Sequence, residues 1–228
     1  LWDFHVSSFA PEVMVGDENI TAPTFFLYPY VLRGGGSILF APPGRGKSYT
    51  ALLWAQSINT GTTKFWRVQK SPVLYINLER SAESMRRRLT FVNLALGLRA
   101  EQPILAFHAR GKSLSHIEQS VIRAIQKWGI KVIFLDSMSR AGLGDLSDNR
   151  TGNAIVDILN NLCETWVALG HTPRKDEEHL YGSVMVDAGA DITIKLKSQT
   201  SEHTLGVSYQ LDKKNDLPDI PPEIWALE

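Results

Sequence analysis

Apolar runs of strand length alternate along this chain with stretches whose apolar residues recur at helical spacing. "SILF" (37–40) is a short apolar run, and "SYTALLWAQSI" after it has the helical period, with Leu52, Leu53 and Ile58 on it. "PVLYINLE" (72–79) predicts a strand ending in a carboxylate, and "SAESMRRRLTFVNLALG" predicts a helix with Ser81 as N-cap. "PILAFHA" predicts a third strand. "SHIEQSVIRAIQKWG" predicts a helix with Ile117, Val121, Ile122 and Ile125 apolar, closing on Gly129. "KVIFLD" is apolar until Asp136, "GNAIVDILNNLCE" reads as a helix and "TWVALGHT" as a strand. Only Cys163-Glu164-Thr165 joins those last two, which predicts an unusually tight turn or missing residues. "ADITIKLK" and "HTLGVSYQLDKK" alternate as a β-hairpin does. Residues 1–30, with Pro11, Pro23 and Pro29, read as an irregular arm covering the core or a neighbouring subunit, and residues 31–228 as one domain.

Strands alternating with helices predict an α/β fold, a mostly parallel twisted sheet with helices on both faces, here with a C-terminal hairpin. Continuous apolar strands suit burial on both sides. Ligands of such sheets sit beyond the carboxyl ends of the strands. Lys47, Glu79, Asp136 and His171 each follow a strand at that end, so they are expected to share one site.

The turn after "SILF" carries the chemistry. Ala41-Pro42-Pro43-Gly44-Arg45-Gly46-Lys47-Ser48 fits the phosphate-binding pattern G-x-x-x-x-G-K-[ST] with Ala for the first Gly. Alanine there tolerates a strand end but not a large positive φ. A loop feeding a helix N-terminus offers unpaired N–H groups and partial positive charge, and glycines let the backbone curl round a phosphate. Pro43, Gly44, Arg45, Gly46, Lys47, Ser48 and Tyr49 are therefore expected to bind the nucleotide, ATP, with Lys47 on its β- and γ-phosphates. Ser48 and Asp136 are expected to hold Mg²⁺. Glu79 suits orienting and deprotonating the attacking water, and His171 suits a hydrogen bond to the γ-phosphate. Plainer alternatives are a strand–turn–helix junction for the loop, a strand cap for Asp136 and for His171, and a glutamate complementing a helix dipole for Glu79.

Composition narrows this. The 228 residues suffice for one domain with a substantial core, and 43% are hydrophobic, which excludes a disordered chain. Lys+Arg and Asp+Glu number 24 each, so no overall basic excess advertises nucleic acid and any such contact must be a local patch. The single Cys163 excludes an internal disulfide and most cysteine metal sites, and is expected on a buried helix face. No apolar run nears the roughly 20 residues of a membrane span, and no signal peptide is visible, so a cytoplasmic protein with no membrane partner is the default expectation. The chain starts at Leu1 without Met, as a fragment of a longer protein would. His108 and His203 read as ordinary surface histidines, and no metal beyond nucleotide-bound Mg²⁺ is expected.

Taken in order, "APPGRGKS", "LYINLERSAESMRRRL", "KVIFLDSMSR", "VALGHTPR", "YGSVMVDAGAD" and "KKN" resemble a RecA-type ATPase, closest to the RepA-like and DnaB-like hexameric replicative helicases. The resemblance implies a RecA-like P-loop core, ATP hydrolysis with Glu79 catalytic and His171 as γ-phosphate sensor, and a homo-oligomeric ring such as a hexamer with ATP at its interfaces. It implies single-stranded DNA in the channel, touched by the loop before Gly182 and Ser183. It also implies that Lys213 or Lys214, and of the two Lys214, reaches the neighbour's nucleotide as an arginine finger does; lysine there lacks the planar bidentate donor. Two loops are candidates for nucleic acid. One is "SRAGLGDLSDNRTGN" with Arg140 and Arg150; the other is "PRKDEEHLYG" with Arg174 and Lys175, opposed by Asp176, Glu177 and Glu178. Arg86 to Arg88 read as a solvated helix face. Alternatives to a helicase motor are a KaiC-like or RadA-like switch and a P-loop phosphotransferase, the latter without a visible arginine-rich lid.

Overall fold

A computed structural model of the chain describes Val13, Val15 and residues 22–142, 144–173, 176–182, 184–200, 205–215 and 217–227. In chain order the elements are β1 Phe25–Leu27, β2 Val31–Leu32, β3 Gly36–Ala41, α1 Lys47–Thr60, β4 Val73–Asn77, α2 Ala82–Ala95, β5 Leu105–His108 and α3 Leu114–Trp128. They continue with β6 Val132–Asp136, a 3₁₀ turn Met138–Arg140, α4 Asn149–Leu162, β7 Trp166–His171, α5 Val184–Ala188, β8 Ile192–Thr200, β9 Leu205–Lys214 and β10 Glu223–Leu227.

Eight strands form one sheet in the order β10-β9-β8-β3-β7-β6-β4-β5. From β8 to β5 every pairing is parallel, while β9 and β10 are antiparallel. This is the α/β sheet expected, and the reason is visible along each strand. In β3, Leu39 packs into the core on one face while Ile38 and Phe40 pack on the other. In β6, Val132 and Phe134 take the first face, Ile133 and Leu135 the second. Both faces are covered, so the middle positions of these strands are apolar on either side. Helices α1 and α2 cover one face, and α3 and α4 the other. Helix α1 is buried on nearly every side.

Several expectations need correcting. Residues 25–32 are not irregular: β1 and β2 pair antiparallel, and Leu27 and Val31 are fully buried. Tyr30 stacks on Trp54 with centroids 4.9 Å apart and ring planes 5° from parallel. Strand β4 stops at Asn77, so Glu79 lies in the turn beyond it. The hairpin gains a third strand, β10, because Trp225 packs edge-on against Phe65 and Trp66. Cys163 is not on a helix face. It caps α4 in an extended conformation and its thiol donates to the Lys131 carbonyl at 3.2 Å, which completes the tight turn into β7.

Candidate nucleotide site

Strands β3, β7, β6 and β4 lie side by side and parallel, so their carboxyl ends form one rim. That rim brings Lys47, Asp136, Glu79 and His171 to one cleft of about 290 Å³, which Ser48 and Tyr49 also line. The loop at its floor begins with Ala41 as the last residue of β3, where extended backbone suits alanine. Gly44 and Gly46 have φ of 81° and 95°, the left-handed region that side chains disfavour. A Cβ added at Gly44 would meet nothing within 4 Å, so that part of the loop faces open space. Gly46 is the N-cap of α1 and supplies no side-chain cap, which leaves the first N–H groups of the helix for a ligand.

Lys47 is buried and its ammonium donates to the carbonyls of Ala41 and Pro42 at 2.7 and 2.9 Å. Burial lowers its pKa to about 8, opposed by the fields of Glu79 and Asp136. Asp136 is almost fully buried, and burial raises its pKa, while hydrogen bonds from Ser48 and from Tyr75 at 3.0 Å favour its ionised form. Its field and hydrogen bond, after burial itself, push the Tyr75 hydroxyl well up, so Tyr75 remains a donor.

Glu79 is held from below. The buried Asn77 side chain accepts from the N–H groups of Glu79 and Arg80 at 3.2 and 2.9 Å and donates to the Arg80 carbonyl at 2.8 Å. The Leu78 N–H donates to the Asp136 carbonyl at 2.8 Å, tying the turn to the next strand. The Ser137 hydroxyl donates to Glu79 Oε1 at 2.5 Å, and His171 Nε2 stands 3.6 Å from the same oxygen. The His171 imidazole first, then the Ser137 hydroxyl, lower the Glu79 pKa to about 2 against its partial burial. The carboxylate is therefore ionised where it faces the cleft, and Oε1 is the oxygen its neighbours hold. His171 Nδ1 is buried without a hydrogen-bond partner among the described residues.

A family model described as an AAA domain matches residues 9–176. This chain belongs to the AAA domain family of P-loop ATPases. No curated protein matches it. Nucleotide binding is what that family implies, and the AAA domain's own residues fit it: a glycine loop open in front, a helix N-terminus, a buried lysine, and two hard oxygen donors, Ser48 and Asp136. Ser48 and Asp136 would hold Mg²⁺, which supplies charge neutralisation on phosphate oxygens.

Other expected residues are not brought to the cleft. Lys213 donates to the carbonyls of Asp187 and Ala190 at 2.8 and 2.7 Å, closing the end of α5. Lys214 pairs with Asp219. Both sit where β9 faces the start of β8, beside Ser37 at the start of β3, and so at the opposite end of the sheet from Lys47. Arg45 is exposed, its guanidinium 3.5 Å from the Ser198 carbonyl. Arg140 and Arg150 are exposed on the first candidate loop. In the second, Asp176 pairs with His179, and Glu178 pairs with Lys195 and Lys197, so these two acids have partners of their own. Arg174, Lys175 and Ser183 lie outside the described residues.

Two site residues escaped the sequence reading. Asn77 looked like one more strand position, and only its hydrogen bonds show that it shapes the Glu79 turn. Arg88, which the sequence places with Arg86 and Arg87 on a solvated helix face, instead lines the cleft, its guanidinium 4.5 Å from the centre of the Tyr49 ring. The helical period held the signal: Arg88 falls three residues after buried Met85 and four before buried Val92.

Proposed function

We propose that the chain hydrolyses ATP as a RecA-type ATPase of the RepA-like and DnaB-like kind, assembled as a ring with ATP at its subunit interfaces and acting on single-stranded DNA. The observation that carries this is the carboxylate of Glu79, aimed by Asn77, held ionised by His171 and Ser137, and facing the cleft that Lys47 floors. A site that only bound nucleotide would not need an ionised carboxylate beside the terminal phosphate, where it repels the ligand. Water oriented by Glu79 attacks the γ-phosphorus, the bond to the bridging β-oxygen breaks, and the water's protons pass to phosphate or solvent. Lys47 and the N-terminus of α1 hold the phosphate oxygens throughout.

The ring reading is supported by Lys214 lying at the other end of the sheet. A residue that completes a neighbour's site in a head-to-tail ring must lie on a surface away from its own. The DNA reading is supported by the exposed Arg140 and Arg150, and by the pairing of Asp176 and Glu178 within the protein, which reduces their opposition to the second loop.

Lys47→Ala is expected to abolish ATP binding, while Glu79→Gln keeps binding and loses about 100-fold or more in turnover. Normal turnover by Glu79→Gln removes that residue from the reaction. Turnover measured with and without single-stranded DNA at several salt concentrations tests the coupling. Stimulation that is strong at low salt and fades steeply as salt rises is the expected result. An oligomer whose ATPase ignores DNA at low salt is a switch rather than a motor.

A further inference from the structure

His108 reads in the sequence as an ordinary surface histidine, and its residue is exposed at the end of β5, the edge strand of the sheet. Its contacts are less ordinary. Strand β5 pairs with β4 in a register that sets His108 opposite Asn77, and the Ala109 N–H donates to the Asn77 carbonyl at 3.0 Å. The Asn77 amide nitrogen lies 3.3 Å from His108 Nδ1. The rest of the network decides which of these atoms donates. The N–H groups of Glu79 and Arg80 can only donate, so the Asn77 atom they meet is its oxygen. The amide nitrogen therefore has two protons to place: one goes to the Arg80 carbonyl and the other to His108. Asn77 is fully buried, and among the described residues nothing else accepts that second proton. An acceptor at Nδ1 requires a neutral imidazole with its proton on Nε2. The surroundings favour that form. Arg86 of α2 lines one groove beside His108, and Arg123 and Lys127 of α3 line a second. Beyond Asn77 stand Arg80 and Glu79, and Glu79 is engaged by Ser137 and His171. Burial first, and then the field of Arg86, lower the His108 pKa below its ordinary 6.5.

We propose that His108 is a positioning residue for ATP hydrolysis: in its neutral form it accepts from the Asn77 amide and so locks the turn that presents Glu79 to the cleft. The inference rests on the role given to Glu79 above. His108 does not itself line that cleft, so it acts only through Asn77. Protonation turns Nδ1 from an acceptor into a donor, and two N–H groups then face each other. The amide must swing away or give up its other bonds, and either change frees the backbone of Glu79 and Arg80. Lys47 and its loop follow β3 and take no bond from Asn77 or His108. The loss therefore falls on turnover and spares nucleotide binding. Acid switches the contact off, so turnover drops as pH falls through the His108 pKa.

Turnover of ATP and affinity for a non-hydrolysable analogue, both measured on the full chain from pH 5 to 8, test this. At pH 7.5, His108→Ala is expected to lose about threefold to tenfold in kcat, with affinity within about twofold of the parent. His108→Asn sets an oxygen where Nδ1 stands and cannot titrate, and it is expected to recover most of that loss. Any acid effect from His171 or from the nucleotide is common to both proteins, so the ratio of His108→Asn turnover to parent turnover isolates His108. That ratio is expected to rise about threefold or more between pH 7.5 and 5.5. In protein with isotope-labelled asparagine, the Asn77 amide resonances are expected to move with the His108 titration in the parent and to stay still in His108→Asn. A ratio independent of pH, full turnover by His108→Ala, equal losses of turnover and affinity, or an Asn77 amide indifferent to pH in the parent overturns the proposal. If His108→Ala fails to fold by circular dichroism, the ratio and the amide titration decide. If the parent hydrolyses no ATP, the hydrolysis reading fails and the positioning role with it; an Asn77 amide that still follows His108 separates that failure from failure of the contact.

Discussion

Lys47 is a buried cation whose hydrogen-bond partners within the protein are neutral carbonyls, and this gives the site a pH signature. Its folded-state pKa of about 8 lies below the ordinary 10.5 because burial disfavours the charged form. Between those two values the unfolded chain binds more protons than the folded one, so folding stability gains from this residue as pH rises through the window. Nucleotide binding has the opposite sign, since phosphates need the ammonium. The affinity for a non-hydrolysable ATP analogue is expected to be flat below pH 8 and to fall about tenfold per pH unit above it. Titrating the analogue from pH 7 to 9.5 checks this; affinity independent of pH across that range would show that Lys47 stays charged or does not touch the phosphates.

The turn between β4 and α2 shows how one buried amide organises an element boundary. Asn77 is fully buried, and its three hydrogen bonds to Glu79 and Arg80 replace the strand pairing that ends there. Ser81 then caps α2 by accepting from the Ser84 N–H at 3.2 Å. Asn77→Ala leaves several backbone groups without partners and lets the turn relax. We expect about 1–3 kcal/mol of lost stability by denaturant melts, together with a fall in turnover larger than any fall in ATP affinity. Intact turnover in a folded Asn77→Ala protein would show that the turn is aimed by Ser137 and the Asp136 carbonyl alone.

Across the whole molecule, the sheet holds the cleft residues and the β9 lysines apart. Lys47, Glu79 and Asp136 lie at one end and Lys214 at the other, so no single copy can bring them together. Lys214→Ala breaks only an exposed pairing with Asp219 and is expected to cost little stability. If Lys214 completes a neighbour's site, both Lys214→Ala and Glu79→Gln proteins are inactive alone, and an equal mixture regains about a quarter of full activity at interfaces between intact halves. A mixture that forms mixed oligomers but remains inactive would rule out a shared site built on this lysine.

The order of residues alone determined the layered α/β plan, the phosphate loop and the four residues at the strand tips. Those signals are local: apolar runs buried on both faces, a glycine turn before a helix, a polar residue where a strand emerges from the core. The tertiary structure alone decided the rest. Strand β10 depends on aromatic packing by Trp225 against residues far away in the chain. The fixing of Lys213 depends on the end of α5 folding under it. Asn77 and Arg88 acquire their places from groups on other elements, the Glu79 turn and the Tyr49 ring. A side chain's partner across a fold is set by packing geometry, and nothing in its own stretch of sequence encodes which group will stand opposite.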